Sequence, residues 1–562
     1  MAAASSGALD PEQHAIVTHE GGPLLVVAGP GAGKTRVLTH AIAHRISNGL
    51  PPERCLAVTF TRRARDELRE RLSALLGAET AARVTVATFH GLGLVILRDC
   101  GVADQADLDD PDGFDQLLTL PVTLLEGDGE LAQAYRSRWT DVFVDEYQDV
   151  DEQQYRLLRL LTSPDSRVCA IGDPDQAVYG FRGGDVGYFL RFQSDFGSAA
   201  TVQLSRSYRS APTIVRAAMQ LIRPGTLVPG RELVPARSDI PDGPVVLRAV
   251  ADEREEAEAV ARGIEQLLGG ASFHAFDSRA VDGRGRAEHQ LSFADVAVLY
   301  RTSAQAAAVG EALARCGFPY QQRSHARLAE TAGVPQILAA LGDRGMLDAD
   351  VAGAADADPV SVSVAELLAK AVSLALSAVP AASPAHAGSE AGVEMQSDAD
   401  LNRAEAIAAI RSAADMLGPL ASRCGADLDR FLDEVALGAE VDTRDPRADR
   451  ITLLTLHAAK GLEFPVVFIV GCDDGLLPLR PWRGAEIDYA EERRLLFVGM
   501  TRATTRLTLL TAAKRMMRGE VTECSPSPFV SSIDSALLDH SGDGASGQRA
   551  RRRDRARQAT LF

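Results

Sequence analysis

The sequence predicts an α/β protein with two domains of the doubly wound type, in which helices cover both faces of a parallel sheet. Near-continuous apolar runs of strand length alternate with charged amphipathic stretches, such as 62–76 and 253–268, over most of the 562 residues. The runs fall into two sets of five, which suits two such sheets. The first set is Leu24–Ala28, Cys55–Phe60, Val84–Phe89, Val142–Val144 and Val168–Ile171. The second set is Val245–Val250, Val296–Tyr300, Ile451–Leu456, Val466–Val470 and Leu507–Leu510.

Composition excludes several classes of protein. Apolar residues make up 46% and charged residues 24% of the chain, as in ordinary globular proteins. No apolar run approaches the ~20 residues of a membrane-spanning helix, so we expect no membrane contact. The seven cysteines include no Cys-x-x-Cys pair and the amino terminus lacks signal-peptide features, which predicts a reduced, cytoplasmic protein without a disulfide framework. Because the net charge is −18, any contact with a polynucleotide has to be local.

Two segments interrupt the α/β pattern and predict mainly helical insertions. The first, 91–138, is helical in pattern with acidic turns, and the second, 330–440, is rich in Ala, Asp and Ser and is expected to be partly mobile. From 534 onward the chain reads as a disordered basic tail. The remaining boundaries are 1–90 with 139–205 for the first α/β domain and 206–329 with 441–533 for the second.

A glycine-rich segment supplies the first chemical motif. Residues 28–35, Ala-Gly-Pro-Gly-Ala-Gly-Lys-Thr, follow a strand and open a helix, so that backbone N–H groups face a phosphate as in a P-loop. Lys34 would reach the β- and γ-phosphates of a nucleotide, and the Thr35 hydroxyl would bind Mg²⁺. Ala28 stands where the usual pattern has glycine, and a simple glycine-rich turn is the alternative. Only four lysines occur among 59 basic residues, which makes Lys34 and Lys460 candidates for positions that need a compact ammonium group; chance is the alternative.

A pair of carboxylates follows a buried strand. Asp145 and Glu146 come directly after Val142–Val144, and the end of a strand beside a P-loop is where a carboxylate holds Mg²⁺. The second carboxylate suits a general base that positions the attacking water. A solvated acidic pair is the alternative interpretation.

From these residues onward the sequence resembles the UvrD/Rep/PcrA group of superfamily 1 DNA helicases. The segment 145–149, Asp-Glu-Tyr-Gln-Asp, is similar to motif II, and the other motifs of the family follow in chain order. The similar segments are 9–13 (Q motif), 28–35 (motif I), 59–64 (Ia), 88–90 (Ib), 172–183 (III), 208–210 (IV), 455–464 (V) and 491–503 (VI). The resemblance implies two RecA-like P-loop NTPase domains, called 1A and 2A, with two insertions, called 1B and 2B, that are short for the family.

The resemblance also implies a role for each matched residue around ATP. Gln13 reads the adenine edge, Tyr208 and Arg36 flank the base or sugar, and Glu463 lies near the ribose. The P-loop residues Ala28, Gly29, Gly31, Ala32, Gly33, Lys34 and Thr35 hold the phosphates. Asp145 and Thr35 hold Mg²⁺, Glu146 is the base, and Gln176 senses the γ-phosphate. Arg209 and Arg502 act as arginine fingers from the second domain; isolated surface ion pairs are the alternative for these two.

A further set of residues matches the positions that line the DNA strand in the family. Stacking on aromatic side chains and contacts to the backbone are how single strands are held. The matched residues are Phe60, Phe89, His90, Tyr179, Phe181, Arg182, Thr455 and His457. Phe181 replaces the usual tryptophan, and a place in the hydrophobic core is the alternative for any single phenylalanine.

The function that the resemblance implies is an ATP-dependent DNA helicase that moves 3′ to 5′ on single-stranded DNA and at single-strand/duplex junctions. The short insertions leave open a translocase that strips proteins from DNA with little unwinding, and an ATP-gated binding scaffold is a third alternative. At the carboxyl end, residues 558–562, Gln-Ala-Thr-Leu-Phe, resemble the peptide that docks on the bacterial sliding clamp, although five residues also match by chance. Repair or replication-fork maintenance is the expected setting.

Overall fold

The structure of the protein is a computed structural model. It describes residues 9–102, 113–180, 183–197, 199–237, 239–269, 291–324, 326–342, 362–380, 398–436, 438–443, 448–480, 487–517 and 519–540. These residues fall into two compact units. The larger unit runs to Asp107 and includes Asp115–Arg323 and the chain from Arg447, and the smaller unit comprises Leu108–Phe114 and Ser324–Pro446.

The first half of the larger unit contains a six-stranded sheet. Its strands are β1 (Leu24–Ala28), β2 (Cys55–Thr59), β3 (Thr85–Thr88), β4 (Asp141–Val144), β5 (Arg167–Gly172) and β6 (Ala200–Leu204). All neighbours are parallel, in the order β3-β2-β4-β5-β1-β6. The carboxyl ends of β1, β4 and β5 therefore lie side by side at one edge, where ligands bind in open parallel sheets.

Helices cover both faces of this sheet. They are α1 (Pro11–Val17), α2 (Lys34–Ser47), α3 (Arg62–Leu76), α4 (Ala78–Ala82), α5 (Phe89–Asp99), α6 (Gly113–Gly127), α7 (Gly129–Arg138), α8 (Glu152–Leu161), α9 (Gly187–Leu190) and α10 (Phe192–Asp195). Alternate residues of a strand enter different cores: Phe143 packs with α2 and α3, whereas Val142 and Val144 pack with α5, α6 and α8. Burial on both faces explains why these strands are continuously apolar.

The helices of the segment 91–138 contribute to the core of the first sheet. Leu92 and Ile96 of α5 and Val122 of α6 are buried in the same cluster as Val142. The described parts of this segment, 91–102 and 113–138, are mainly helical. Their apolar side chains cover one face of the sheet, which would otherwise be exposed to water.

The second half of the larger unit contains an all-parallel sheet with one added antiparallel strand. Before it, β7 (Arg206–Ser207) pairs in parallel with β8 (Val234–Pro235). The strands of the sheet are β9 (Val245–Asp252), β10 (Val296–Tyr300), β11 (Tyr320–Arg323), β12 (Ile451–Thr455), β13 (Phe464–Ile469), β14 (Ala503–Met517), β15 (Glu520–Glu523) and β16 (Leu538–Asp539). Their order is β11-β12-β10-β13-β14-β9-β16, and β15 pairs antiparallel with β14.

Four helices pack with the second sheet. They are α11 (Pro212–Ile222), α12 (Glu253–Leu267), α13 (Ala304–Arg315) and α18 (Tyr489–Met500). Val260 of α12 and Val309 of α13 share a core with Val298. On α18, a side chain at Gly499 would begin 2.4 Å from Leu456 Cδ2, so this glycine permits close packing of the helix on the residue that directly follows β12.

The smaller unit is helical in the part that the structure describes. Its helices are α14 (Val334–Gly342), α15 (Val364–Ala378), α16 (Asp398–Cys424) and α17 (Leu428–Ala436). Val334, Leu368, Leu417 and Phe431 form its own hydrophobic core.

The predicted start of the disordered tail at 534 needs correction. Asp534 caps a short 3₁₀ turn, and β16 pairs with Val245 and Val246 of β9, so the fold continues to Asp539. Backbone pairing at the sheet edge needs no apolar run, which is why the composition of this segment did not reveal it. Residues 541–562, including the basic run and the Gln558–Phe562 peptide, lie outside the described ranges. Among the described helices, none has both the length and the apolar character needed to span a membrane.

Candidate active site

The P-loop is formed by the turn between β1 and α2. Gly31 and Gly33 have φ angles of +73° and +84°, which side-chain-bearing residues rarely adopt, and α2 begins at Lys34. Thr35 and Arg36 lie in the first turn of α2, and the amide of Gln13 donates a 3.2 Å hydrogen bond to the carbonyl of Ala32. A helix N-terminus with a basic side chain at its first position favours an anion, such as a nucleotide phosphate.

The segment that follows β6 lies against the P-loop. The backbone N–H of Tyr208 donates to the carbonyl of Gly31 at 2.8 Å, and its hydroxyl donates to Asp10 at 2.6 Å. The Glu12 carboxylate accepts two hydrogen bonds from Ser205, at 2.7 Å from the backbone N–H and 2.6 Å from the hydroxyl. The structure thus brings the Q-motif helix, the P-loop and Tyr208 together on one side of the site.

The predicted carboxylate pair lies at the end of β4. Asp145 is buried, and burial together with the charge of Glu146 raises the pKa of Asp145 to about 7. Glu146 has a φ of +49°, a strained conformation of the kind found at functional sites. Burial opposes its ionisation, but Lys34, Lys460 and Gln148 hold the pKa of Glu146 below its ordinary value. The Lys34 ammonium lies 3.8 Å from Glu146, so Glu146 carries its charge at neutral pH.

The raised pKa of Asp145 makes a prediction about stability. The folded protein holds a proton on Asp145 up to about pH 7, whereas an unfolded aspartate releases it near its ordinary value of 3.8. Wild-type stability should therefore fall as the pH rises between these values, since the folded state binds more protons. We expect Asp145→Asn to remove this contribution. The melting temperature of the variant minus that of the wild type should therefore be larger at pH 8 than at pH 5. Nucleotide-free thermal melts at both pH values test this, and an unchanged difference would contradict it.

A chain of buried polar groups joins the end of β5 to the second domain. Gln176 donates a 2.6 Å hydrogen bond to Asp173 and accepts one of 3.2 Å from the Arg502 guanidinium. Arg502 is buried, and burial together with the nearby positive charge of Arg209 lowers its pKa to about 9. The predicted γ-phosphate sensor, Gln176, and the predicted arginine finger, Arg502, are thus in direct contact.

The second predicted finger, Arg209, lies against the P-loop at Gly31. A side chain at position 31 would begin 2.5 Å from Arg209 Cβ, so only glycine fits at this position. Arg209 Nε is 2.7 Å from a carboxylate oxygen of Glu463, whose side chain is 59% exposed. Arg209 and Glu463, both predicted at the nucleotide, are therefore paired beside the loop.

Lys460 connects the two halves of the larger unit, although its motif match gave it no role. Its ammonium donates to the Asp149 carboxylate and, at 2.6 Å, to the carbonyl of Gln176. It also lies 5.0 Å from the centre of the Tyr179 ring, within the range of a cation–π contact. Its place in motif V and the scarcity of lysine were the signals in the sequence that pointed to this residue.

The residues predicted to contact DNA do not share one environment. Phe60 and Phe89 meet edge to face at 5.1 Å, but Phe89 is only 1% exposed within the core of the first sheet. The prediction for Phe89 was wrong, because a buried ring cannot offer its face to a base. Tyr179 is half-buried, and its hydroxyl donates to the carbonyl of His457 at 3.4 Å, while Thr455 accepts from the backbone of the same turn.

Three more predicted DNA contacts complete the set. His90 is half-buried at the start of α5. Phe181 and Arg182 lie outside the described residues.

The chemistry of the site fits Mg²⁺. The Thr35 hydroxyl and the Asp145 carboxylate are hard oxygen donors, the kind that this ion prefers. Burial and the charge of Glu146 raise the pKa of Asp145 despite the nearby Lys34 ammonium, so a further cation at this carboxylate would be favourable. Within the described ranges no three His, Cys, Asp or Glu residues group into a metal cage. Mg²⁺ needs only one or two protein ligands where phosphate oxygens and water complete its coordination.

Two models of known protein families match most of the chain. The family model of the UvrD/REP helicase N-terminal domain matches residues 9–110 and 101–197. The family model of the UvrD-like helicase C-terminal domain matches residues 202–343 and 389–514.

Relatives match over almost the whole chain. The ATP-dependent DNA helicase PcrA of Leuconostoc citreum is 27% identical, over 99% of this chain and 88% of the relative. The ATP-dependent DNA helicase UvrD1 of Mycobacterium tuberculosis is 29% identical, over 94% and 86%. PcrA of Staphylococcus aureus is 26% identical, over 95% and 87%. The chain belongs to the UvrD-like family of ATP-dependent DNA helicases.

Proposed function

We propose that this protein hydrolyses ATP between its two α/β domains and uses the energy to move 3′ to 5′ along single-stranded DNA. The observation that carries the proposal is the 3.2 Å hydrogen bond from Arg502 to Gln176. It joins a residue that follows β5 of the first sheet to one that precedes β14 of the second. Since phosphoryl transfer needs cations at the γ-phosphate, hydrolysis then depends on contact between the two domains.

The residues of the site divide the chemistry among them. The P-loop and Lys34 bind the phosphates, and Gln176, bonded to both Asp173 and Arg502, contacts the γ-phosphate. The ionised Glu146 accepts a proton from water as the water oxygen bonds to the γ-phosphorus. The bond from that phosphorus to the bridging oxygen breaks, which gives ADP and phosphate. Mg²⁺ held at Thr35 and Asp145 would neutralise charge on the phosphates.

Movement on DNA is proposed to follow from the same contacts. Lys460 touches Gln176 at the ATP site and lies under Tyr179, one of the residues proposed to stack on a base. A change at the γ-phosphate that moves Gln176 would therefore also move the strand-binding side. The polarity of movement rests on the similarity to the helicase family, as does a role in DNA repair or replication-fork maintenance.

The test combines ATP hydrolysis with directional displacement. We expect single-stranded DNA to increase the ATPase rate by at least about tenfold, because DNA binding assembles the catalytic contacts. We also expect streptavidin to be displaced from biotin at the 5′ end of an oligonucleotide and not from the 3′ end. Duplexes with a 3′ tail should unwind, and the same duplexes with a 5′ tail serve as the matched control.

Each result separates the alternatives. Displacement of streptavidin without unwinding would favour a translocase that strips proteins from DNA. Negligible ATPase activity with saturating DNA would favour a scaffold, and displacement from the 3′ end would refute the polarity. The contact between Gln558–Phe562 and a sliding clamp stays a proposal from the sequence.

A further inference from the structure

Arg231, which belongs to none of the family motifs, makes a bidentate ion pair next to the ATP site. Its side chain is 4% exposed, and its two terminal nitrogens lie 2.6 and 2.7 Å from the two carboxylate oxygens of Asp173. One of these nitrogens also donates to Asp175 at 2.6 Å. Both carboxylates are fully buried, so a single guanidinium compensates two buried charges.

The loop that carries Arg231 belongs to the second half of the larger unit. Its Thr226 hydroxyl and Leu227 N–H both donate to Asp175 at 2.6 Å. The Arg231 guanidinium also lies 5.4 Å from the ring centre of Phe497 on α18. The loop therefore packs against the end of β5 on one side and against the motif VI helix on the other.

Asp173 transmits this contact to the residues proposed to hydrolyse ATP. Asp173 Oδ2, which accepts a hydrogen bond from Arg231, also accepts the 2.6 Å hydrogen bond from Gln176. The backbone N–H of Asp173 donates to Gln148 at 2.9 Å, and Gln148 donates to Glu146 at 2.6 Å. Arg231 thus fixes one residue to which both Gln176 and, through Gln148, Glu146 are bonded.

We propose that Arg231 is a positioning residue for ATP hydrolysis, holding Asp173 so that Gln176 meets the γ-phosphate. This inference rests on the proposed function of the site. Arg231 acts through Asp173 and Gln176 and need not touch the nucleotide. Because a lysine cannot reproduce the planar fork, Arg231→Lys keeps the charge but loses the orientation of Asp173.

A purely structural role is the competing explanation, and the protein contains a matched control for it. Arg515 is 5% exposed and pairs with two buried carboxylates, Glu256 at 2.7 Å and Asp473 at 2.6 Å. Arg515, like Arg231, is a buried guanidinium that compensates two buried carboxylates, although it uses one nitrogen for each of them. It lies at the junction of β14 and α12, and these two partners lie outside the ATP site. Arg515→Lys therefore reports what the loss of a buried fork does to the fold alone.

The decisive experiment is a double-mutant cycle. Steady-state ATPase is measured with saturating single-stranded DNA for the wild type, Arg231→Lys, Gln176→Ala and the double variant. We expect Arg231→Lys to lower kcat at least about tenfold with KM for ATP within about twofold, as befits an interaction realised in the transition state. In the Gln176→Ala background the same change should lower kcat less than about twofold. Arg515→Lys should shift the melting temperature similarly and leave kcat unchanged.

The outcomes distinguish this inference from the proposed function. Equal losses in both backgrounds, or an unchanged kcat for Arg231→Lys, would overturn the role of Arg231 while leaving the ATPase intact. A wild type without DNA-stimulated ATPase would overturn both. Should Arg231→Lys not fold, Arg231→Lys with Asp175→Asn replaces it, since the lone ammonium then faces a single buried carboxylate; the same cycle and the same criteria apply.

Discussion

Replacement of Lys34 by alanine is expected to abolish ATP hydrolysis. Lys34 is the first residue of α2, directly after the turn at Gly33, where the phosphates of a nucleotide are proposed to bind. Its ammonium group lies 3.8 Å from the Glu146 carboxylate. Without it, the β- and γ-phosphates lose their nearest cation in both the bound state and the transition state. We expect kcat/KM for ATP to fall by at least about 10³-fold, measured as phosphate release with saturating single-stranded DNA.

Lys514→Ala is the matched control, because Lys514 is one of the four lysines and is exposed on β14, away from the P-loop. Its ATPase should equal that of the wild type. Activity of Lys34→Ala above about a tenth of the wild-type value would refute the assignment of the phosphate site.

The central strands could be predicted from the sequence because both of their faces are buried. All ten predicted strands are present; nine have their ends within two residues of the prediction, and β14 extends the predicted Leu507–Leu510 to Ala503–Met517. The six strands that were missed are β6, β11, β15 and β16, at sheet edges or outside the main order, and β7 and β8, which pair with each other as two-residue strands. β11 reads Tyr-Gln-Gln-Arg, with exposed Tyr320 beside buried Gln321. An edge strand needs no apolar run, because its backbone pairing supplies much of its stabilisation.

The candidate site could be predicted where its chemistry is local in sequence. The P-loop and the Asp145–Glu146 pair each follow a strand directly, so their position at the sheet edge is implied by the order of elements. The contact between Arg231 and Asp173 joins residues 58 positions apart, and no local pattern marks it. Phe89 failed for a related reason: the direction of its side chain is set by how α5 packs on the sheet.

Replacement of Arg502 by alanine is expected to lower kcat for ATP hydrolysis by about 10³-fold or more, while ATP binding is retained. Removal of an arginine finger costs this much because the guanidinium stabilises charge that develops on the γ-phosphate in the transition state. Arg502 donates to Gln176 and is anchored by the carbonyls of Val498, at 2.9 Å, and Leu462, at 3.2 Å. Arg502→Lys should not restore activity, since these contacts are made by three nitrogens spread over the planar guanidinium, and a compact ammonium cannot occupy all three positions.

The lowered pKa of Arg502 predicts that Arg502→Ala loses catalytic activity without losing the fold. Burial and the charge of Arg209 make the protonated guanidinium costly in the folded state, so its removal relieves an electrostatic penalty as well as breaking contacts. We therefore expect the melting temperature of Arg502→Ala to stay within a few degrees of the wild type at pH 7. Arg506→Ala, an exposed arginine on the same strand, is the control and should keep full activity. If Arg502→Ala turned over ATP at the wild-type rate, hydrolysis would not depend on the second domain, and the coupling of ATP to movement would lose its basis.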